Sequence, residues 1–155
     1  MIDINNESGI EADELGLVEL SRYALDQLRI HPQADLSVVL VDEETMTQYH
    51  ERFMDLPGPT DVMSFPMDEL RSPADDEEPP MGLLGDIVIC PQVTSRQSVE
   101  NGREPDAEIE YLLIHGLLHL LGHDHAEPEE KAVMFALNDR IIAGWEMTRT
   151  IRSAP

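Results

Sequence analysis

The residues predict an α+β protein of a single domain spanning 1–155, a small mixed β-sheet packed against several helices. Three observations carry this reading. A chain of 155 residues fits one domain and is long enough to bury about two thirds of its unfolded surface. Strand and helix periodicities alternate in the amino-terminal half of the chain, and helical spacing dominates later, as in an α+β fold. No internal repeat is visible.

Met1 to Ile4 alternates like an edge strand, and Asn5 to Ile10, with its glycine, reads as a turn. Between Glu11 and Leu28, residues Leu15, Leu17, Val18, Leu20, Tyr23, Ala24 and Leu28 recur at helical spacing, a surface helix with one buried stripe. Asp35 to Val41 is rich in β-branched residues and reads as a strand. Asp42 stands where a helix cap is wanted, and Glu43 to Met54 reads as a helix carrying Met46 and Phe53 inward. His31 and His50 lie in polar surroundings and are expected in solvent.

Leu56-Pro57-Gly58-Pro59 is a turn leading into a short extended segment, Thr60 to Phe65. The acidic, proline-rich stretch 68–82 has too little apolar surface to order itself and reads as a mobile loop. Leu83 to Cys90 is the most hydrophobic strand and belongs in the middle of the sheet; Pro91 ends it. Gln92 to Glu100 is a short helix with Val93 and Val99 inward, broken by Asn101-Gly102. Pro105 sits in the first turn of the next helix, where its missing N–H costs nothing, and Asp106 and Glu108 favour the same end of the dipole. Apolar residues from Tyr111 to Leu121 surround this helix on nearly every side, so it is buried. Pro128 opens the last helix, which runs to about Ile142 with Val133, Met134, Leu137 and Ile141 toward the core.

The buried helix ends in Ile114-His115-Gly116-Leu117-Leu118-His119-Leu120-Leu121-Gly122-His123-Asp124-His125, which holds four of the six histidines. Residues four apart share a helix face, so His115 and His119 can turn ring nitrogens toward one ion. A glycine after the last turn takes the left-handed conformation readily, and Gly122 therefore lets His125 fold back as a third ligand. Lone histidines on apolar helices are usually satisfied core residues. Two buried imidazoles at this spacing would leave ring nitrogens unpaired at about 1–3 kcal/mol each, and a shared metal removes that cost. Three imidazoles suit one zinc ion with a fourth position left for water, the pattern of open, hydrolytic zinc sites. In the metalloprotease pattern the residue after the first histidine is a glutamate base. Gly116 stands there and cannot take a proton.

The string from His115 to His125 resembles the three-histidine signature of the YbeY family of bacterial metal-dependent endoribonucleases. Pro59-Thr60-Asp61-Val62-Met63-Ser64-Phe65-Pro66 resembles the family's other hallmark, and Gly85-Asp86-Ile87-Val88-Ile89 the strand that follows it. The resemblance covers nearly the whole chain and implies the same α+β architecture, with Thr60 to Phe65 beside the metal. It implies a single-strand-specific endoribonuclease that matures ribosomal RNA at the 16S 3′ end and serves ribosome quality control. Its cofactor would be one zinc ion held by His115, His119 and His125. Its partners would be ribosomal RNA, the ribosome and other RNA-processing proteins, with no DNA and no membrane.

Two positions depart from the family. An arginine usually stands seven residues before the aspartate of the Thr-Asp-Val motif, and this chain has Met54 there. Arg52 is the candidate to replace its charge, against the alternative of an exposed arginine paired with carboxylates. His123 stands where an aromatic residue is usual and is not assigned to the metal. His115, Asp61 and Arg52 are the catalytic candidates. Asp61, and after it Asp124, can orient a liganding imidazole by accepting its free N–H, or can simply cap a turn.

Composition limits the reading. A net charge of −22 and a pI near 4.3 repel polyanions at long range, whereas RNA enzymes normally carry a basic footprint. The bound cation, a few arginines at the cleft, or a protein that presents the substrate would each resolve the conflict. Cys90 is the only cysteine, so no internal disulfide forms; it reads as a small apolar side chain, with a fourth metal ligand as the minor alternative. No apolar run is long enough to cross a membrane and no leader is evident, so the cytoplasm is expected. Besides the endoribonuclease, a metalloprotease and a zinc-stabilised ribosome-associated factor without catalysis compete.

Overall fold

The structure is a computed structural model describing residues 1–153. Its elements run β1 (Ile2–Asn6), α1 (Glu14–Gln27), β2 (Asp35–Leu40), α2 (Glu43–Met54), β3 (Val62–Pro66), β4 (Leu83–Ile89), α3 (Pro91–Asn101), α4 (Pro105–Leu120) and α5 (Pro128–Ser153). The expected α+β class is the one observed. The four strands lie in the order β1-β2-β4-β3. β1 pairs with β2 and β2 with β4 in parallel, whereas β3 runs antiparallel to β4, which makes the sheet mixed. β1 is an edge strand and β4 an inner one, as their sequences imply. An inner strand buried on both faces needs apolar residues at successive positions, which Ile87, Val88 and Ile89 supply.

Each face of the sheet builds its own core. Leu36, Val38, Leu40, Ile87 and Ile89 point toward α1, α4 and α5 and join Leu20, Leu113, Leu117 and Trp145. Val88, Cys90 and Met63 point the other way, onto Met46 of α2. Leu84 reaches the first core through a register shift that leaves it unpaired opposite Asp35 and Leu36. Gly85, at φ 134°, carries the distortion, since a side chain there would run into the Phe65 carbonyl.

Several helical phases differ from the sequence reading. Leu15 is 69% exposed because the α1 stripe is set by Leu17, Leu20, Ala24 and Leu28, and Leu15 lies about 200° round from Leu17. Val99 is exposed because α3 buries Pro91, Thr94 and Ser98 instead. Val133 faces solvent one residue away from the true α5 stripe of Met134, Asn138, Ile141 and Trp145. That stripe also explains why α5 continues beyond Ile142: Trp145 packs on Tyr23 at 5.8 Å and donates its indole N–H to Glu110. Phe53 is half exposed, and His31 is partly covered, its Nδ1 accepting from the Gln33 N–H.

Segment 68–82 forms no helix or strand. Arg29 donates to the carbonyls of Ala74 and Glu77, Asp68 accepts from the Leu83 N–H, and Leu70 packs against the core. Among the described residues no helix is long and apolar enough to cross a membrane.

Candidate metal centre

α4 brings the site together because it lies unusually close to the sheet. A Cβ at Gly116 would stand 2.9 Å from Ile87 Cγ2 and 3.1 Å from Ser64 Oγ, so only glycine permits this approach. Ser64 Oγ donates to the Gly116 carbonyl at 3.0 Å, tying β3 to the helix backbone. The close approach sets His115 and His119 beside the strand that follows Asp61. It also means that a glutamate at 116, the base a metalloprotease needs, has no space.

The end of α4 closes as a Schellman turn. Gly122 sits at φ 90°, its N–H donates to the His119 carbonyl, and the His123 N–H donates to the Leu118 carbonyl. The reversal carries His125 back. One ring nitrogen each from His115, His119 and His125 lies within 4.8 Å of the other two, and His115 Nε2 and His119 Nε2 are 3.1 Å apart. Tetrahedral zinc bonds of about 2.0–2.1 Å hold their nitrogens about 3.3 Å apart. The donor set fits such an ion.

Tautomers and charge agree. The His123 carbonyl only accepts, so His119 donates to it through Nδ1–H at 2.9 Å and presents the Nε2 lone pair to the cluster. Burial, with His119 and His125 adding to it, pushes the His115 pKa down to about 4, while Asp61 nearby opposes the shift. Burial also lowers the pKa of His119, against the pull of its bond to His123. Both rings are therefore neutral at pH 7, the form a metal takes.

A cleft of about 720 Å³ opens over the three histidines. Its other walls come from β3 and the end of α2: Thr60 to Pro66, with His50, Phe53 and Met54. Asp61 is its only carboxylate among the described residues. Of the candidate residues, His115, His119, His125 and Asp61 are brought together. Asp61 forms no hydrogen bond to an imidazole among the described residues; its Oδ1 accepts from the Val62 N–H at 2.7 Å and from Thr60 Oγ1, capping its own turn. Asp124 likewise accepts from the His125 N–H. The group that orients a ring is thus the His123 backbone carbonyl. Arg52 is exposed and does not line the cleft; its guanidinium lies 5.4 Å from the Phe53 ring centre, and no carboxylate comes within 4.0 Å of it among the described residues. Met54 does line the cleft. His123 turns to a separate surface hollow with Asp124 and Glu129. Cys90 is buried in the opposite core, where burial raises its thiol pKa, and is not a ligand of this cluster.

His50, expected in solvent, is instead in the cleft wall. Its Nδ1 donates to the Gly58 carbonyl at 2.9 Å, leaving Nε2 open. The signal lies in the spacing: His50, Phe53 and Met54 share one helix face, and the short turn after them obliges that face to lie against the Thr60 to Pro66 segment.

A mixed sheet with α4 pressed on it and three convergent imidazoles at its end defines an α+β protein whose open cleft holds a histidine cluster that could bind a metal ion. Comparison with known proteins gives the family. The family model described as Endoribonuclease YbeY matches residues 3–146. A Cutibacterium acnes protein named Endoribonuclease YbeY is 73% identical over 94% of this chain and 94% of its own. A protein of the same name from Streptomyces griseus is 59% identical over 93% of this chain and 89% of its own. The solution structure of a Thermotoga maritima protein shares the fold, with a TM-score of 0.65 at 24% identity over 99% of this chain and 94% of that one. The chain belongs to the YbeY endoribonuclease family.

Proposed function

We propose that the chain is a metal-dependent endoribonuclease that cleaves single-stranded ribosomal RNA. Its process is maturation of the 16S 3′ end and quality control of the ribosome, in the cytoplasm. His115, His119 and His125 hold one zinc ion. The observation that carries this reading is the convergence of three ring nitrogens within 4.8 Å of one another beside an open cleft. Family membership supplies the substrate class.

A divalent ion held there supplies a Lewis acid against the charge that develops on a scissile phosphodiester. The protein's own residues do the rest. The His123 carbonyl holds His119 in one tautomer, and the apolar surroundings of His115 keep it unprotonated. Asp61, close to His115, puts a negative charge beside the cluster that would favour a bound cation. Among the described residues the cleft presents RNA with a single carboxylate, although the chain carries 32 acidic residues, so most of the repulsion is held away from the substrate. Arg71 lies over the Gly122 backbone, and Lys131 lies 5.5 Å from the ring of Phe135, which packs beside His115 and His125. Neither has a carboxylate within 4.0 Å among the described residues, which leaves both for phosphate.

Metal analysis of the purified chain paired with digestion of single-stranded RNA tests the proposal. About one ion per chain and cleavage are expected, and His119→Ala should lose both while keeping its helical content. Stoichiometric metal without any RNA turnover would leave the non-catalytic ribosome factor as the better reading. Cyclic phosphate ends on the products would identify the ribose 2′-hydroxyl as nucleophile.

A further inference from the structure

We infer that the α2 wall of the cleft is a nucleobase-stacking subsite, in which Phe53 receives an unpaired base of the RNA next to the cleaved bond. This rests on the ribonuclease reading above and adds to it the residue that selects for single strands.

Phe53 is 51% exposed although it stands on the same helix as the fully buried Met46. A lone half-open ring is ordinary at a surface, but this one stands with the similarly exposed Met54 on the wall of the cleft, where exposed apolar side chains mark a binding face. The ring is also held firmly. Phe65 meets it nearly edge-on, with centroids 5.1 Å apart and planes at 71°, and Tyr49 lies 6.0 Å away on the preceding turn. Three rings so arranged fix the plane of the outermost one before any ligand arrives. Phe53 lines the same cleft as the three histidines, on the wall built by α2 and β3. Arg52 lies over its ring, 5.4 Å from the guanidinium carbon to the centroid and without a carboxylate partner among the described residues, so a base either stacks on the opposite face or displaces this exposed side chain.

An aromatic face with an adjacent unpaired arginine is the pairing that single-stranded nucleic acid uses, one group taking a base and the other the neighbouring phosphate. Inside an A-form duplex both faces of each base are occupied by stacking, so a paired base has nothing to offer Phe53. A splayed base has. Selection for single strands then follows from the wall of the cleft, independently of the metal. Arg52, expected as a replacement for a phosphate-binding group at position 54, instead contacts the phosphate of the stacked nucleotide, outside the metal cleft.

Two measurements on the full chain test this. In the first, Phe53→Trp places an indole at the cleft, while the native Trp145, only 3% exposed, contributes a constant background. A short non-cleavable 2′-O-methyl strand should quench the new emission; the same strand as a duplex, or a fully abasic strand of equal length, should not. Equal quenching by the abasic strand would overturn the subsite. In the second, Phe53→Ala should raise KM for single-stranded RNA about tenfold with kcat, metal content and unfolding midpoint little changed, and Phe53→Tyr should restore KM. An unchanged KM in Phe53→Ala would also overturn it. The strand-binding measurement needs no turnover, so a chain that cuts no RNA yet shows base-dependent quenching refutes the ribonuclease reading and leaves the stacking subsite standing.

Discussion

His119, His115 and His125 are each set by a different force: a backbone carbonyl, burial, and a left-handed glycine. The difference matters for pH. His115 in the folded, metal-free protein titrates at about 4, well below an ordinary imidazole. Between about 6.5 and 4 the unfolded chain therefore binds a proton that the folded chain refuses. Its contribution to stability is complete above that window and is lost as pH falls through it. Urea unfolding of metal-free protein at pH 7.5 and 4.5 should show the wild type losing more stability on acidification than His115→Gln, and equal losses would refute the assignment. Met54 is the other residue with a sharp consequence, because it lines the cleft where Arg52 does not. Placing a cation there with Met54→Arg should raise kcat/KM on single-stranded RNA severalfold, about the worth of one charge-assisted hydrogen bond reduced by solvent. Initial rates at low substrate read this directly, and no gain would count against a phosphate at that wall.

At the scale of elements, the site depends on how closely α4 lies on β3 and β4. Gly116 sits between Ile87 and the Ser64 hydroxyl, and the added methyl of Gly116→Ala must push the helix outward or distort β3. Overpacking of this kind costs about 1–3 kcal/mol. Because the displaced helix carries two of the three ligands, metal affinity should fall along with the denaturation midpoint; a variant of wild-type stability and metal content would show that the helix does not need the glycine. The sequence showed Gly116 as the absence of a base, and its steric role required the sheet to be in view. The same holds for Phe53 and Val133, whose helical spacing allowed either phase. Neighbouring elements chose between phases, through the Tyr49 and Phe65 rings in one case and the stripe ending at Trp145 in the other.

For the whole molecule, the main question is how a chain of net charge −22 approaches RNA. Among the described residues four arginines are committed to carboxylates, Arg29, Arg96, Arg103 and Arg149. Of the cations without a carboxylate partner among the described residues, Arg52 lies over Phe53 of the cleft wall, Lys131 by Phe135 beside the histidines, and Arg71 over Gly122, and these three are the candidates for phosphate. Three phosphate contacts on a single strand predict a slope of about −2 for log affinity against log salt. Replacing any one of the three by glutamine should flatten that slope by about 0.7. Affinities measured across a salt series test this, and a slope unaffected by all three changes would place the phosphates elsewhere. Strong overall acidity with an almost carboxylate-free cleft also predicts slow, weakly steered association compared with basic nucleases.

By itself the sequence determined the α+β class, the inner position of β4 and the three imidazoles, because these rest on local rules: residue spacing on a helix, the conformational freedom of Gly122, and β-branched runs. Only the tertiary structure decided that His50 and Phe53 face the histidines, that the His123 carbonyl rather than Asp61 orients a ring, and that the acidic charge is kept out of the cleft. Each of these depends on atoms distant along the chain or on backbone groups common to every residue, and neither leaves a mark in a string of side chains.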